Sequence, residues 1–292
     1  MQQLAGRVAV VTGGAGGIGR GIVEALLEAE VQVVVADVEA PALDRSVGEL
    51  SERGSVRGVV TDVSDPASVE ALAVDVYGHE GACHLLFNNA GVTSGGGGKP
   101  WEQESNDWRW CFGVNVFGVA HGVIAFVPRM LASGDPGVVV NTSSGDGGIA
   151  PVPHASVYAA SKAAVSCFTE AVAHQLVATG APVRAAVFYP FGGLLDTGLW
   201  TAARNRPAEL ARTRPRPAAP MTTFAEYQRY LADAGLPSEP ADLLELGRAA
   251  VRGVQEGRYV IGGDPERDAE LLHARADAIA KGELPPTHSM GG

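Results

Sequence analysis

The stretch Thr12-Gly13-Gly14-Ala15-Gly16-Gly17-Ile18-Gly19 decides the fold, because it joins a strand to a helix through a turn made largely of glycine. The run Val8–Val11 before it is typical of a buried strand, and the apolar periodicity over 18–29 predicts a helix after it. Glycines let the backbone approach a pyrophosphate closely, and the helix N-terminus offers free N–H groups. Although an ordinary strand–helix loop is the alternative, the context favours a dinucleotide-binding turn that uses Gly13, Gly17, Ile18 and Gly19.

The same alternation continues along the chain. Val-rich runs bounded by Gly, Asp or Asn predict strands at 7–12, 31–36, 56–60, 83–88, 137–142, 183–189 and 258–261. Helical periodicity predicts helices at 18–29, 41–53, 66–79, 104–132, 156–179, 240–256 and 265–281. Apolar strands that alternate with helices are typical of parallel sheets covered on both faces. We therefore expect an α/β fold, a Rossmann-like doubly wound parallel sheet in three layers, α/β/α.

Two segments interrupt this pattern within an expected single domain spanning residues 1–292. The four-glycine run Gly95–Gly98 predicts a surface loop. An inserted lid is expected at about 195–240, before a C-terminal helix and tail at about 264–292. A cluster of arginines lies in the first part of the lid: Arg204, Arg206, Arg212, Arg214 and Arg216. Exposed charge runs are usually solvated, so a solvated loop is favoured over attraction of an anionic substrate.

Composition narrows the class of protein. With 46% hydrophobic and 19% charged residues, the 292-residue chain has enough apolar surface for a sizeable core. A formal net charge of −11 argues against nucleic acid or an anionic membrane as a partner. Cys83, Cys111 and Cys167 lie far apart in apolar segments, which predicts reduced, buried thiols and no metal site. We find no targeting segment and no apolar run of membrane-spanning length, and expect a cytoplasmic protein.

Polar residues after the next strands extend the predicted cofactor site. Asp37 ends the second strand, where a carboxylate can bind the adenosine ribose and would repel a 2′-phosphate. No Arg or Lys adjoins Asp37 in the sequence, so we expect NAD and not NADP; a solvated strand-end Asp is the alternative. Asp62 and Val63 either meet the adenine edge or begin a turn before Pro66. Small residues after the fourth strand let the chain pass close to a cofactor: Asn89, Ala90 and Gly91.

The segment Tyr158-Ala159-Ala160-Ser161-Lys162 carries the candidate chemistry. A spacing of four puts the Tyr158 and Lys162 side chains on one face of a predicted helix. A free tyrosine has a pKa near ~10, but a neighbouring ammonium and a positive nicotinamide ring favour the phenolate. Tyr158 can then take the proton of an alcohol as the hydride leaves. An ordinary surface Tyr and Lys is the alternative for this pair taken alone.

Four motifs in one order resemble the short-chain dehydrogenase/reductase family in its single-domain form. They are Thr12-Gly-x-x-x-Gly17-x-Gly19, Asn88-Asn-Ala-Gly91, a Ser pair after the fifth strand, and Tyr158-x-x-x-Lys162. The resemblance covers roughly residues 5–190.

The resemblance implies a role for each catalytic candidate. Ser144, in preference to its neighbour Ser143, would bond the substrate oxygen and stabilise its charge. Tyr158 would be the acid/base, while Lys162 would hold the nicotinamide ribose and lower the pKa of Tyr158. Asn115, a poor helix former in mid-helix, would anchor a water leading from Lys162 toward solvent. A purely structural Asn115 is the alternative.

The family pattern is broken after the sixth strand. Relatives commonly have a Pro-Gly turn and then a Thr that meets the nicotinamide carboxamide, whereas this chain has Pro190-Phe191-Gly192-Gly193-Leu194-Leu195-Asp196-Thr197. Pro190, Gly192 and Thr197 remain the candidates for that contact, and Phe191 would pack against the ring or narrow the pocket. Apolar lid residues favour a hydrophobic alcohol or ketone: Leu194, Leu195, Leu199 and Trp200. His154 either lines the pocket or faces solvent.

The predicted helix at 104–132 is apolar on most faces, whereas a helix buried on one side only shows a polar stripe. The excess of apolar residues indicates a subunit interface, at which Gly118 and Gly122 would permit two helices to approach closely. Deep burial within one chain is the alternative. The family resemblance favours a homodimer or homotetramer.

These features predict an NAD-dependent oxidoreductase that moves a hydride between the cofactor and a hydrophobic secondary alcohol or ketone. A non-catalytic NAD-sensing regulator is one alternative, but it has no need of Ser144, Tyr158 and Lys162. A sugar-nucleotide epimerase or dehydratase is another, although the chain after Pro190 is short for the substrate domain of such an enzyme.

Overall fold

A central sheet of seven parallel strands organises the computed structural model, which describes residues 1–95, 99–215 and 223–287. The strand order is β3-β2-β1-β4-β5-β6-β7. In chain order the strands are β1 (Val8–Thr12), β2 (Gln32–Asp37), β3 (Val56–Val60), β4 (Leu85–Asn88), β5 (Gly137–Thr142), β6 (Val183–Tyr189) and β7 (Val260–Gly262). The predicted α/β fold, a doubly wound sheet in a single domain, is confirmed. Most of the glycine run, Arg216 and the end of the C-terminal tail lie outside the described residues.

Helices cover both faces of the sheet. They are α1 (Gly17–Glu28), α2 (Ala40–Leu50), α3 (Pro66–His79), α4 (Ser105–Phe112), α5 (Gly118–Ser133), the short turn α6 (Gly145–Gly148), α7 (Ser156–Thr179), α8 (Phe224–Asp233), α9 (Leu243–Glu256) and α10 (Pro265–Lys281). Short 3-10 turns lie at Pro100–Glu102, Pro153–Ala155, Gly198–Asn205 and Ala208–Leu210.

The two faces of the sheet bury separate apolar clusters. On one face Val11 and Phe87 pack with Leu26 of α1 and Val254 of α9. On the other face Val10 packs in a cluster with side chains of α3 and α5, among them Leu72, Phe126 and Met130. Every residue of β1 is buried, and the run Val8–Val11 is accordingly apolar throughout and does not alternate. Burying each such side chain stabilises the fold by roughly 1.5–3 kcal/mol.

The predicted helix at 104–132 is divided by a π-helical turn. Gly113–Phe117 forms this turn between α4 and α5. A π turn inserts one extra residue into the helix, and apolar periodicity does not reveal such an insertion. The turn carries Asn115, which is fully buried.

The helical segment Ser105–Ser133 is long and apolar enough to cross a membrane by length and composition alone. The expectation that no apolar segment is long enough to span a membrane is therefore wrong. Packing accounts for this composition, since Phe126 and Met130 lie in the core under the sheet. The segment also contains the buried polar residues Asp107 and Asn115, which are bonded within the protein.

Two expectations about buried and exposed residues need correction. Gly118 and Gly122 are packed inside the chain: a Cβ on Gly122 would lie 2.1 Å from Asn88 Oδ1 of the sheet, and one on Gly118 would lie 2.8 Å from Val63 Cγ2 in the loop after β3. Cys83 and Cys111 are buried as predicted, but Cys167 on α7 is exposed. In both cases helical periodicity was too weak to decide which side of an apolar helix faces the sheet.

Candidate active site

A cavity of about 930 Å³ opens at the carboxyl edge of the sheet. The strand order reverses between β1 and β4, and ligands of doubly wound sheets bind at such a reversal. The cavity brings together most of the predicted site residues: Gly13, Gly17, Ile18, Gly19, Asp37, Asp62, Val63, Asn89, Ala90, Gly91, Ser144, Tyr158, Lys162, Pro190 and Thr197. Asn115 lies behind the lining. Gly192 is exposed, and its neighbours Gly193 and Leu194 line the cavity instead.

The glycine turn is packed too tightly for side chains. A Cβ on Gly13 would lie 2.8 Å from Ala90 Cα, and one on Gly19 would lie 2.1 Å from the carbonyl oxygen of Gly13. Thr12 Oγ1 accepts hydrogen bonds from the N–H groups of Asn89 at 2.9 Å and Ala90 at 3.1 Å, which ties β4 to the turn. Helix α1 has no side-chain cap. Its first N–H groups are therefore suited to the phosphates of a ligand.

Asp37 is held in a fixed position at the adenosine end of the cavity. Its Oδ2 accepts a hydrogen bond from Ala15 N and its Oδ1 accepts one from Glu39 N, both at 3.1 Å. No cation adjoins Asp37 in the sequence, but the fold brings Arg45 and Arg204 to the same end of the cavity. Arg204 is paired there with Glu39. Sequence proximity alone could not reveal this cation, because Arg204 comes from the lid.

Asp62 lies at the cavity, and its hydrogen bonds fit the turn that was the alternative for it. Its Oδ1 accepts hydrogen bonds from Ser64 N at 2.8 Å and Ser64 Oγ at 2.7 Å, as in a turn. Thr197 also lines the cavity, but it lies against the glycine turn: a Cβ on Gly17 would be 3.3 Å from Thr197 Cβ.

Ser144 and Tyr158 both line the cavity, and the Ser144 side chain lies close enough to the phenol to affect its pKa. Ser143 faces away from the phenol, since its Oγ donates to the carbonyl of Lys162 at 2.8 Å and lies 2.7 Å from Ser166 Oγ. The geometry thus separates the two serines as the family resemblance implies. Burial raises the pKa of Tyr158, and the Asp146 carboxylate raises it further, whereas the hydrogen bond with Ser144 lowers it.

Lys162 is a buried amine beside this pair. Its Nζ donates to the carbonyl of Thr142 at 2.9 Å and lies 5.6 Å from the centre of the Tyr158 ring. Burial lowers the pKa of Lys162 to about 8. Among the protein's own groups, the net shift of the Tyr158 pKa is upward, opposite to the shift that the resemblance implies. A buried phenol therefore needs a further positive charge to become a phenolate.

Asn115 ties three segments of the site together. Its Oδ1 accepts a hydrogen bond from Val92 N at 2.8 Å, and its Nδ2 donates to Val92 O at 3.0 Å and to Ser161 Oγ at 2.9 Å. Its Oδ1 and Lys162 Nζ each lie 3.5 Å from the position that a Cβ on Gly91 would occupy. The buried amide has the partners that its burial requires, and Gly91 keeps the space beside Lys162 open.

Besides the predicted Leu199 and Trp200, the substrate end is lined by residues that the sequence did not single out. The substrate end contains aromatic and apolar side chains, together with polar Asp146 and the predicted His154: Val92, Trp110, Val114, Val152, Leu199, Trp200 and Tyr227. Tyr227 lies on α8, a helix within the lid that was not predicted, and its ring lies 5.5 Å from that of Trp200. The capping-box pattern Thr223-x-x-Glu226 was the available signal for this helix.

Phe191 neither packs in the cavity nor narrows it. It is absent from the lining, and its Cδ1 lies 3.0 Å from the position that a Cβ on Gly262 would occupy. The broken Pro-Gly pattern thus redirects a side chain toward the end of β7.

Four of the lid arginines form ion pairs; Arg206 and Arg212 are largely buried, whereas Arg204 and Arg214 keep the exposure expected of a solvated loop. Arg204 pairs with Glu39, Arg206 and Arg212 pair with Asp107, and Arg214 contacts Glu104. The charges therefore fasten the lid to the rest of the protein. Arg216 lies outside the described residues.

Comparison with known proteins agrees with this geometry. A profile described as short chain dehydrogenase matches residues 7–208. The C alpha-dehydrogenase of Sphingobium sp. (strain NBRC 103272 / SYK-6) is 38% identical over 293 residues, covering 98% of this chain and 90% of that protein. A short chain dehydrogenase/reductase from Burkholderia phymatum, solved in complex with NAD, is 37% identical over 99% of both chains with a TM-score of 0.86. A metagenomic short-chain oxidoreductase in complex with NADP is 30% identical, covers 65% of this chain and 84% of its own, and has a TM-score of 0.60.

Proposed function

The chain belongs to the short-chain dehydrogenase family of oxidoreductases, and from this premise we propose that it interconverts a secondary alcohol and a ketone with NAD. The observation that carries the proposal is that Ser144, Tyr158 and Lys162 line one cavity together with the glycine turn. An NAD sensor would need the turn but not the serine–tyrosine pair.

The residues present fit NAD. The glycine turn leaves a cradle that a Cβ would fill, and Asp37 is fixed beside it to accept hydrogen bonds from ribose hydroxyls. A carboxylate at that position disfavours a 2′-phosphate by charge repulsion. Lys162 and Thr197 would lie near the nicotinamide half. When bound, NAD accepts or returns the hydride.

The chain's own residues handle the proton and the substrate oxygen. Ser144 donates a hydrogen bond to the substrate oxygen and holds it beside the Tyr158 hydroxyl. Tyr158 takes the alcohol proton in oxidation and returns it in reduction. Because burial raises the pKa of Tyr158, the Lys162 ammonium and the oxidised cofactor's charge supply the positive potential that the phenolate needs. A Lys162 pKa of about 8 lets that amine pass a proton onward near neutral pH.

The lining of the substrate end favours an apolar substrate. Trp110, Trp200 and Tyr227 surround it with aromatic surface, and Val92 and Val152 add aliphatic surface. Such side chains exclude water and bind hydrophobic groups, whereas Asp146 disfavours an anion near Tyr158. We infer a hydrophobic, uncharged alcohol or ketone.

The direct test follows NADH absorbance while the purified protein turns over aliphatic, alicyclic and aryl secondary alcohols with NAD. Ketone reduction with NADH is measured in parallel. Turnover of at least one compound is expected. NAD binding without turnover of any panel member would favour the sensor, and conversion of a sugar nucleotide without net NADH change would favour the epimerase.

The cofactor choice is tested at Asp37. We expect kcat/KM to be higher with NAD than with NADP. Asp37→Ala should reduce this preference for NAD over NADP at least about 10-fold, since hydrogen bonds to a charged group contribute roughly 1.5–3 kcal/mol. Asp135→Ala, which removes an exposed carboxylate outside the cavity lining, is the control. An unchanged preference in Asp37→Ala would remove the argument for NAD.

A further inference from the structure

The lid segment, defined as residues 197–215, is joined to α4 by buried opposite charges. Asp107 is fully buried, and its carboxylate accepts hydrogen bonds from Arg206 Nη1 at 2.7 Å and from Arg212 Nη1. The Arg206 and Arg212 side chains are only 9% and 11% exposed. If one of these three side chains were removed, a buried charge would be left without its partner, at a large cost in stability. The three side chains therefore depend on one another for their positions.

Glu104 fixes the course of the lid backbone at the same place. Its Oε2 accepts a hydrogen bond from Thr213 N and its Oε1 accepts one from Arg214 N, both at 2.8 Å. The bond from Thr213 lowers the pKa of Glu104 to about 2, so the carboxylate stays charged at neutral pH. Because Asp107 also accepts a hydrogen bond from Glu104 N at 2.9 Å, the two carboxylates keep one geometry.

The same turn of α4 builds the wall of the substrate end. Trp110 lies three residues after Asp107, on the same side of the helix, and the Arg206 guanidinium lies 5.2 Å from its ring centre. Ala202 and Leu210 of the lid segment pack against Trp110, and all three side chains line the cavity. The position of the lid wall therefore depends on the charges beneath it.

We propose that Asp107 is a positioning residue for substrate binding, which acts through Arg206 and Arg212 to hold the lid segment against Trp110. Glu104 supports it by binding the backbone of Thr213 and Arg214. The identity of the bound substrate rests on the proposed function, whereas the anchoring of the lid does not. Neither carboxylate touches the reacting atoms, so their removal acts on KM more than on kcat.

The kinetic test compares Asp107→Asn with Glu80→Gln. Glu80 is a matched control, since it forms two hydrogen bonds with Arg57, at 2.6 and 2.7 Å, and lies outside the cavity lining. The substrate is the panel alcohol that the unchanged enzyme oxidises fastest. Asp107→Asn is expected to raise its KM about 10-fold, which corresponds to about 1.4 kcal/mol, with a smaller change in kcat and an unchanged Kd for NADH. Glu80→Gln is expected to lose stability but keep KM.

A second measurement needs no substrate and so separates this proposal from the proposed function. Hydrogen exchange of the lid segment is followed by mass spectrometry in the unchanged protein, Asp107→Asn, Arg212→Gln and Arg212→Lys. Arg212→Gln keeps α4 intact if Asp107→Asn fails to fold. We expect faster exchange at residues 199–214 in Arg212→Gln. Protection against exchange should be partly restored in Arg212→Lys, and Glu80→Gln should exchange at the rate of the unchanged protein. Unchanged exchange in the folded Arg212→Gln variant overturns the proposal, even if turnover is observed.

Discussion

Lys162 places an ionisable amine where almost no water reaches it. The side chain is 4% exposed, and burial lowers its pKa from 10.5 to about 8. A native state that binds fewer protons than the unfolded state becomes more stable as the pH rises between these two values. The buried charge of Lys162 thus lowers the stability of the fold at neutral pH.

Lys162→Met is expected to remove this pH dependence. Between pH 8 and 10.5 the unchanged protein should gain stability relative to the variant, by up to about 3 kcal/mol at about 1.4 kcal/mol per pKa unit. Urea unfolding of both proteins across this range measures the difference. Parallel stability curves would show that the amine is not destabilised by burial.

The grouping of Tyr158 and Lys162 was predictable from the sequence, but their electrostatic state was not. Spacing alone placed Tyr158 and Lys162 on one helical face, and the structure brings both to the cavity. The upward shift of the Tyr158 pKa depends on burial and on Asp146, which reaches the site from the turn after β5. Such long-range placement leaves no periodic signal in the sequence.

At the scale of elements, α5 approaches the sheet through a glycine. Gly122 faces Asn88, whose Nδ2 donates to Asn141 Oδ1 at 2.9 Å across β4 and β5. A Cβ on Gly122 would lie 2.1 Å from Asn88 Oδ1, so the helix or the strand must move to accept a side chain.

Gly122→Ala is therefore expected to destabilise the protein by roughly 1–3 kcal/mol through overpacking. Gly78→Ala is the matched control in α3, because a Cβ there meets open space. Alanine is a better helix former than glycine, so the control should gain up to about 1 kcal/mol. Thermal unfolding of both variants measures the two changes in stability. Equal effects would mean that Gly122 is not in close contact with the sheet.

The regular elements were predictable because their apolar periodicity reports burial directly. Strands β3, β5 and β6 match the predicted limits, as do α3, α7 and α10. The π turn and α8 were not predicted, since one is a single inserted residue and the other is a short helix within an irregular segment. Both lie beside the cavity, where the needs of the site override the regular pattern.

At the scale of the whole molecule, α4, the π turn and α5 keep an apolar outer side. Phe117 is 56% exposed and Ile124 is 69% exposed, although the opposite side of the same segment lies in the core. Large exposed apolar side chains grouped on one element are typical of interaction surfaces. We propose that this outer side joins copies of the chain in a homodimer or homotetramer, without the contribution of Gly118 and Gly122.

Ile124→Glu is expected to shift the assembly toward monomer, because a buried unpaired carboxylate opposes association. Val74→Glu introduces the same charge at an exposed apolar position of α3 and is expected to leave the assembly unchanged. Sedimentation equilibrium of both variants and the parent measures the mass. A parent protein that sediments as a monomer would contradict the proposal.

In the proposed reaction, Tyr158 is the group that moves the proton. The deciding measurement is kcat for Tyr158→Phe and for the control Tyr189→Phe, with NADH binding followed by fluorescence. Tyr189 is a suitable control because it is a buried tyrosine that donates a hydrogen bond to Ser166 and lies outside the cavity lining. We predict that Tyr158→Phe loses about 10²–10⁴-fold in kcat while NADH binding is retained, and that Tyr189→Phe keeps its rate. Turnover at an undiminished rate in Tyr158→Phe would contradict the proposed chemistry.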